Sequence, residues 1–244
     1  MKDMKVGLTW NQDYKWFSNY FPKLETIETT KILEIIRSYD LIIFPGGEDI
    51  SPEYYGQADT YARFCNPNRD EFELKIFRYC KKYLIPTLGI CRGHQLINVV
   101  EGGRLEQDLF FGGFTPHSYS HELEWSNTNN FIYKIIGENE VCSTHHQGIS
   151  EVGIFGTSLA KKDGIIEAVT FDKYPIITFQ FHPEYYQEEN WTKDLFEEIA
   201  NWAKKAKEVP PILKQKRDSK FDNILLCEDL EDFIEFCDQM AGEI

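Results

Sequence analysis

A chain of 244 residues with 42% hydrophobic and 15% aromatic content is long enough for one large domain with a full core, rather than two small ones. Its formal net charge of -14 argues against nucleic acid or an anionic membrane as partner, and no apolar run approaches the roughly 20 residues of a membrane span. Six cysteines without regular spacing do not read as a disulfide framework, and no signal-peptide core is visible, so a cytoplasmic protein with reduced thiols is expected.

Strand and helix patterns alternate along the chain, which predicts an α/β fold. Lys5 to Trp10 reads as a first strand, Leu24 to Ile27 as a second, and Thr30 to Arg37 as a compressed helix. Leu41-Ile42-Ile43-Phe44 is an apolar strand that runs straight into Pro45-Gly46-Gly47. In such a turn backbone N–H groups can face a cleft with no Cβ atoms in the way, as an oxyanion formed only in the transition state requires. A helix is predicted over Asp70 to Tyr83, where Phe72, Ile76, Tyr79, Cys80 and Tyr83 recur at helical spacing. Asp70 and Glu73 have the spacing of a capping box, so the Arg69-Asp70 pair admits either a structural or a substrate role.

Gly89-Ile90-Cys91-Arg92-Gly93-His94-Gln95 is the most informative stretch. A short apolar strand, Ile85 to Leu88, precedes it, and Leu96 to Val100 can start a helix after it. Glycines two residues before and two after Cys91 let the backbone turn sharply and project the thiol at the carboxyl end of a sheet. The helix amino terminus then faces Cys91 and favours thiolate over thiol.

Residues 104 to 130 are irregular and hold His117 and His121. Their i, i+4 spacing suits a metal only on a helix; Pro116 and the intervening Ser-Tyr-Ser argue against one, so no metal site is expected. Strand-like alternation follows in His121 to Trp125 and in Ile165 to Phe171. Pro175 to Gln180 reads as a buried strand, and Phe181-His182-Pro183-Glu184 follows it. A histidine just past this strand shares the rim of a parallel sheet with Cys91, and Glu184 can reach its second ring nitrogen. Cysteine, base and orienting carboxylate make a thiol acyl-transfer triad.

Asn190 to Lys207 is a helix with Leu195, Phe196, Ile199, Trp202, Ala203 and Ala206 on one face. Val209-Pro210-Pro211 ends it. The expected organisation is therefore a catalytic domain over 1–208, then a linker and C-terminal helical extension over 209–244. That extension is read as a terminal helix docked on the body, with a homodimer contact or a flap over the site as the alternative.

The motifs together resemble the class I glutamine amidotransferase superfamily and, within it, the γ-glutamyl hydrolase branch that includes γ-glutamyl-γ-aminobutyrate hydrolases. The matching residues are Phe44 to Pro52 with Tyr55-Gly56, Arg69-Asp70 with Glu73, and Gly89 to Gln95. Asn98-Val99, Gly102-Gly103, Gln107-Asp108, Ser143 to Gln147 and Gln180 to Glu184 complete them. The likeness spans roughly residues 4 to 205. Residues 11 to 40 are short for the family.

This resemblance implies a three-layer α/β/α, flavodoxin-like fold with a mostly parallel central sheet and a nucleophile elbow, and no cofactor. It implies a small-molecule γ-glutamyl amide as substrate, cleaved through a thioester on Cys91 with His182 and Glu184. Backbone N–H groups of Gly47 and Arg92 would hold the oxyanion. Gln95 and the Ser143 to Gln147 segment would grip the glutamyl α-amino and α-carboxylate groups, with Ser143, His145 and Gly46 as substrate contacts. The alternative is a glutaminase subunit that feeds ammonia to a synthetase; Arg92 after the nucleophile, where such subunits usually carry an apolar residue, favours the hydrolase. A third class, a non-catalytic scaffold on the same fold, would be expected to lose the cysteine or the histidine, and both are present. Loop aromatics Tyr54, Tyr55, Tyr61 and Phe64 could stack on a ring of the amine half or pack locally.

Overall fold

The strand Leu41–Phe44 shows how the molecule is layered. In the computed structural model, which describes residues 1, 3–27, 35–117 and 119–208, its four side chains are all buried but face two different cores. Leu41 and Ile43 pack with Phe17, Leu195, Phe196 and Ile199; Ile42 and Phe44 pack with Leu74, Phe77, Leu96 and Ile97. A strand whose every residue is apolar is one covered on both faces, because successive side chains point to opposite sides.

The strands are β1 (Val6–Leu8), β2 (Leu24–Thr26), β3 (Leu41–Phe44), β4 (Thr87–Ile90), β5 (Arg104–Glu106), β6 (Glu124–Trp125), β7 (Gly148–Glu151), β8 (Gly156–Lys162), β9 (Ile165–Phe171) and β10 (Ile176–Phe179). Neighbours run in the order β2-β1-β3-β4-β10, all parallel, and the sheet continues through β9, β7 and β5 in antiparallel pairs. β8 branches from β9 and carries β6. The parallel half has the doubly wound order in which ligands sit beyond the carboxyl ends of the strands.

Among the described residues the helices are α1 (Tyr14–Phe17), α2 (Pro67–Tyr83), α3 (Arg92–Val100), α4 (Phe131–Ile136) and α5 (Asn190–Glu208). α2 and α3 pack on one face, α4 and α5 on the other, which gives the three-layer α/β/α architecture. α2 starts three residues earlier than its apolar spacing predicts. Pro67 opens it, and the Asn66 side chain caps it by accepting from the Arg69 amide at 3.2 Å. Asp70 and Glu73 are thereby released from any capping role and turn into the protein. α4, β5, β7 and β8 carry weak sequence signals and were not anticipated.

The expected second strand is present as β2. Of the compressed helix expected over Thr30 to Arg37, residues 30–34 lie outside the described residues, and Ile36–Ser38 form a single 3-10 turn. The C-terminal extension over 209–244 likewise lies outside them. Among the described residues no helix is long and apolar enough to cross a membrane.

Candidate active site

The site is assembled by three parallel strands that end side by side. β3 leads into Pro45-Gly46-Gly47, β4 into Cys91, and β10 into the Gln180 to Glu184 segment. Cys91 stands between β4 and α3 with φ 49° and ψ -101°, a conformation that costs a non-glycine residue free energy and that a sharp strand-to-helix turn imposes. The tightness is visible at Gly93, where a Cβ would overlap the Phe44 carbonyl group. Only glycine lets α3 lie this close to the sheet, and that closeness aims the helix amino terminus at the thiol.

His182 follows β10 by three residues. Its backbone N–H donates to the Cys142 carbonyl at 3.1 Å, and its ring Nδ1 meets Glu184 Oε1 at 2.7 Å. The ring stacks on Tyr185, with centroids 4.5 Å apart and planes inclined by 1°. Burial alone would pull its pKa down, but the adjoining Cys91 sulfur and the Glu184 carboxylate push it up to about 11. Imidazolium is therefore the favoured form at neutral pH. Cys91, His182 and Glu184, predicted from separate motifs, are brought together, and all three are buried.

The glycine turn is held by an arginine. Arg69 Nη2 donates to the carbonyl oxygens of Pro45 (3.2 Å) and Gly46 (2.9 Å). In trans peptides the N–H points opposite to the C=O, so the N–H groups of Gly46 and Gly47 are directed away from Arg69. Gly47 has φ 149°, and a Cβ there would run into the Arg69 guanidinium. Arg69 itself is fully buried, paired with Glu48 at 2.7 Å and Glu73 at 3.3 Å. Arg92 also donates to Glu73, and to Asp70, whose other oxygen accepts from the Ser51 amide and hydroxyl. The Arg92 side chain thus belongs to this buried network beneath the turn; only its backbone can serve the site.

The other expected contacts are distributed unevenly. The Gly46 Cα faces the His182 ring, so closely that a Cβ would sit 2.6 Å from Cε1. Gln95 spends its amide hydrogens inside the protein, on Gln180 Oε1 at 3.0 Å and the Gln147 carbonyl at 3.1 Å. The Ser143 hydroxyl is buried without a hydrogen-bond partner, next to the Cys142 carbonyl that anchors His182. His145 donates from Nδ1 to the Gln147 carbonyl at 2.6 Å and turns Nε2 toward Glu167. His146 bridges Asp49 at 2.8 Å and Asp108 at 3.3 Å. The Tyr61 ring stacks on Phe111 with centroids 4.4 Å apart, so this loop aromatic has a partner within the protein.

Two acidic residues were missed by sequence reasoning. Asp13, the last residue of a 3-10 turn (Asn11–Asp13) after β1, is buried close to His182 and Arg69, and burial raises its carboxyl despite both cations. Its place past a strand end was the available signal. Glu167 is a charge in the middle of the apolar run Ile165 to Phe171, which was itself a signal. Burial would push its carboxyl up, yet the histidines that face it, His117 foremost, hold it near 2. His117 and His121 do not lie on a helix: each forms an isolated antiparallel bridge, to His145 and Val141 respectively.

A doubly wound sheet with a strained cysteine at the strand-to-helix corner, and a carboxylate-oriented histidine on the neighbouring strand, defines the class of cysteine hydrolases and amide transferases that act on C–N bonds. The chain belongs to the Peptidase C26 family, the class I glutamine amidotransferase-like group, whose family model matches residues 21–184. It is 33% identical over 187 residues to the glutamine amidotransferase-like protein YvdE of Lactococcus lactis subsp. lactis, covering 71% of this chain and 78% of that protein. It is 28% identical over 259 residues to the glutamine amidotransferase-like protein RP404 of Rickettsia prowazekii, covering 79% and 91%. A glutamine amidotransferase from Thermotoga maritima has the same fold at TM-score 0.56 and 15% identity, covering 97% of this chain and 99% of that one.

Proposed function

We propose that the protein hydrolyses the γ-glutamyl amide bond of a small γ-glutamyl conjugate, releasing glutamate and an amine. The observation that carries this reading is the His182 ring, fixed by Glu184 on one nitrogen and facing Cys91 with the other. The Cys91 thiolate attacks the δ-carbonyl carbon, and the carbonyl π electrons move onto oxygen. Backbone N–H groups of Gly47 and Arg92 receive that oxyanion in the cleft. When the tetrahedral species collapses, the C–N bond breaks and the His182 imidazolium gives its proton to the departing amine. A thioester remains on Cys91. Neutral His182 then takes a proton from water, whose oxygen attacks the thioester carbonyl, and glutamate leaves as the thiolate returns. Gly46, Gln95 and Ser143 are assigned to the glutamyl end; His145, with Nδ1 on the Gln147 carbonyl and Nε2 turned to Glu167, has no ring nitrogen left for it. The buried, unpartnered Ser143 hydroxyl supports this assignment best, since it needs an acceptor or donor from a ligand.

The free-standing hydrolase is favoured over a synthetase-coupled glutaminase by the Arg92 side chain, whose ion pairs with Asp70 and Glu73 tie the residue after the nucleophile to α2. The names of the relatives support the second reading, in which glutamine is the substrate and ammonia the product. Product release measured across γ-glutamyl conjugates, with glutamine included and no partner added, separates the two. Turnover of γ-glutamyl amines above glutamine supports the hydrolase. Glutamine as the best substrate by far overturns it in favour of the glutaminase.

A further inference from the structure

We propose that His117, His145 and Glu167, whose ligand atoms all lie within 4.8 Å of one another, bind a divalent first-row transition metal, with His121 beside them as the fourth donor and zinc as the expected occupant. Glu167 Oε1 lies 2.9 Å from His117 Nδ1, 3.5 Å from His145 Nε2 and 3.8 Å from His121 Nε2. Four ligand atoms placed about 2.0–2.1 Å from a central ion at tetrahedral angles stand about 3.3 Å from one another. The three separations from Glu167 Oε1 straddle that value, and the rings of His121 and His145 lie about 5 Å from that of His117 (5.0 and 5.2 Å between centroids), so His121 has to swing inward to complete the set.

The proton arrangement points the same way. The His145 Nδ1 hydrogen goes to the Gln147 carbonyl at 2.6 Å, and the His121 Nδ1 hydrogen to the Tyr119 carbonyl at 3.3 Å. A carbonyl on one ring nitrogen leaves the other with its lone pair free, which is how metal-ligating histidines are usually oriented. The Nε2 atoms of both rings and Glu167 Oε2 are buried without a hydrogen-bond partner. Unsatisfied polar atoms gathered at one buried point are uncommon unless a ligand completes them. None of the four residues is more than 6% exposed.

Three imidazoles and one carboxylate suit zinc and its neighbours, whereas calcium and magnesium take oxygen ligands. With His121 drawn in as the fourth donor no position is left open, so the ion is structural. It would fasten the irregular segment carrying His117 and His121 to the His145 loop and to β9. The Glu167 side chain faces the histidines, while its backbone carbonyl accepts from the Gln180 amide at 2.8 Å beside the active-site strand, so none of the proposed ligands belongs to the Cys91–His182–Glu184 triad. The metal site therefore stands whether or not the proposed hydrolysis is correct.

The test is elemental analysis of the full-length protein, purified without chelator, alongside Cys91→Ala, His121→Ala and Glu167→Gln. About one equivalent of zinc or another first-row metal is expected in the wild type and in Cys91→Ala, with at least tenfold weaker retention in the other two. Stripping with dipicolinate should lower Tm, and cobalt(II) added back should give the intense visible bands of a tetrahedral site. The cobalt titration of stripped wild type needs no variant to fold. Absence of metal from the wild type together with no tetrahedral cobalt spectrum overturns the proposal. Loss of the metal in Cys91→Ala alone overturns it too, by placing the ion on the catalytic cysteine.

Discussion

The Cys91 amide donates to the Phe179 carbonyl over 2.7 Å, so the ladder between β4 and β10 continues one rung past the last paired residues, Ile90 and Phe179. This bond ties the backbone of the cysteine to the strand that delivers His182 three residues later. The strained φ of Cys91 is held on both sides, by this rung and by the close seat of α3 on Gly93.

The first prediction concerns Arg69 as a positioning residue. Lysine at 69 keeps the positive charge opposite Glu48 and Glu73 but cannot hold two carbonyls in the same fork. Arg69→Lys should lower kcat by about a hundredfold, with KM changed little, because oxyanion donors act in the transition state and not in the ground state. Steady-state kinetics checks it; a change confined to KM would assign Arg69 to substrate binding instead.

Glu184→Gln should leave the fold intact and keep an amide oxygen that can accept from the ring, while removing the charge that favours imidazolium. A fall in kcat of roughly a hundredfold or more is expected. The pH–rate profile of the variant should also lose activity at a lower pH than the wild type, since His182 no longer stays protonated as far up the pH scale. An unaltered profile would show that Glu184 does not set the state of His182.

Cysteine alkylation gives a pH prediction. Burial pushes the Cys80 thiol up to about 12 and raises Cys65 and Cys142 as well. These three should react with iodoacetamide ever more slowly as pH falls from 9 to 6. Cys91, at the amino terminus of α3 and beside His182, should react faster than these three. His182→Gln should remove this advantage. Peptide-level mass spectrometry reads each site, and a Cys91 rate no greater than that of Cys65 would contradict the assignment of Cys91 as nucleophile.

Gly47→Ala places a Cβ against the Arg69 guanidinium on a backbone with φ 149°. The strain should cost about 1–3 kcal/mol. Lower Tm and a displaced oxyanion turn should appear together, the latter as weakened inhibition by γ-glutamyl aldehydes. Retained Tm and inhibition would mean that the turn relaxes freely.

How much of this was readable depends on the type of signal. Cys91, His182 and the Gly46-Gly47 turn sit beside short, largely apolar strands, and punctuation by glycine and proline marks the strand ends. Those cues are local. The role of Arg69 was hidden because Asp70 and Glu73 mimic a capping box, while the real cap, Asn66, stands upstream of the apolar repeat. The convergence of His117, His121 and His145 on Glu167 was hidden for another reason. It depends on isolated bridges between loops about 20 to 28 residues apart, and such pairings leave no periodic trace. The apolar strand around Glu167 did carry a trace, a carboxylate where no solvent could reach.

The most direct measurement is mass spectrometry of protein quenched during turnover of a γ-glutamyl amide, with peptides mapped for acylation. The account predicts one glutamyl group on the peptide containing Cys91, absent from Cys91→Ala, which should also be inactive. Wild-type turnover by Cys91→Ala, or acylation on any other residue, would contradict it.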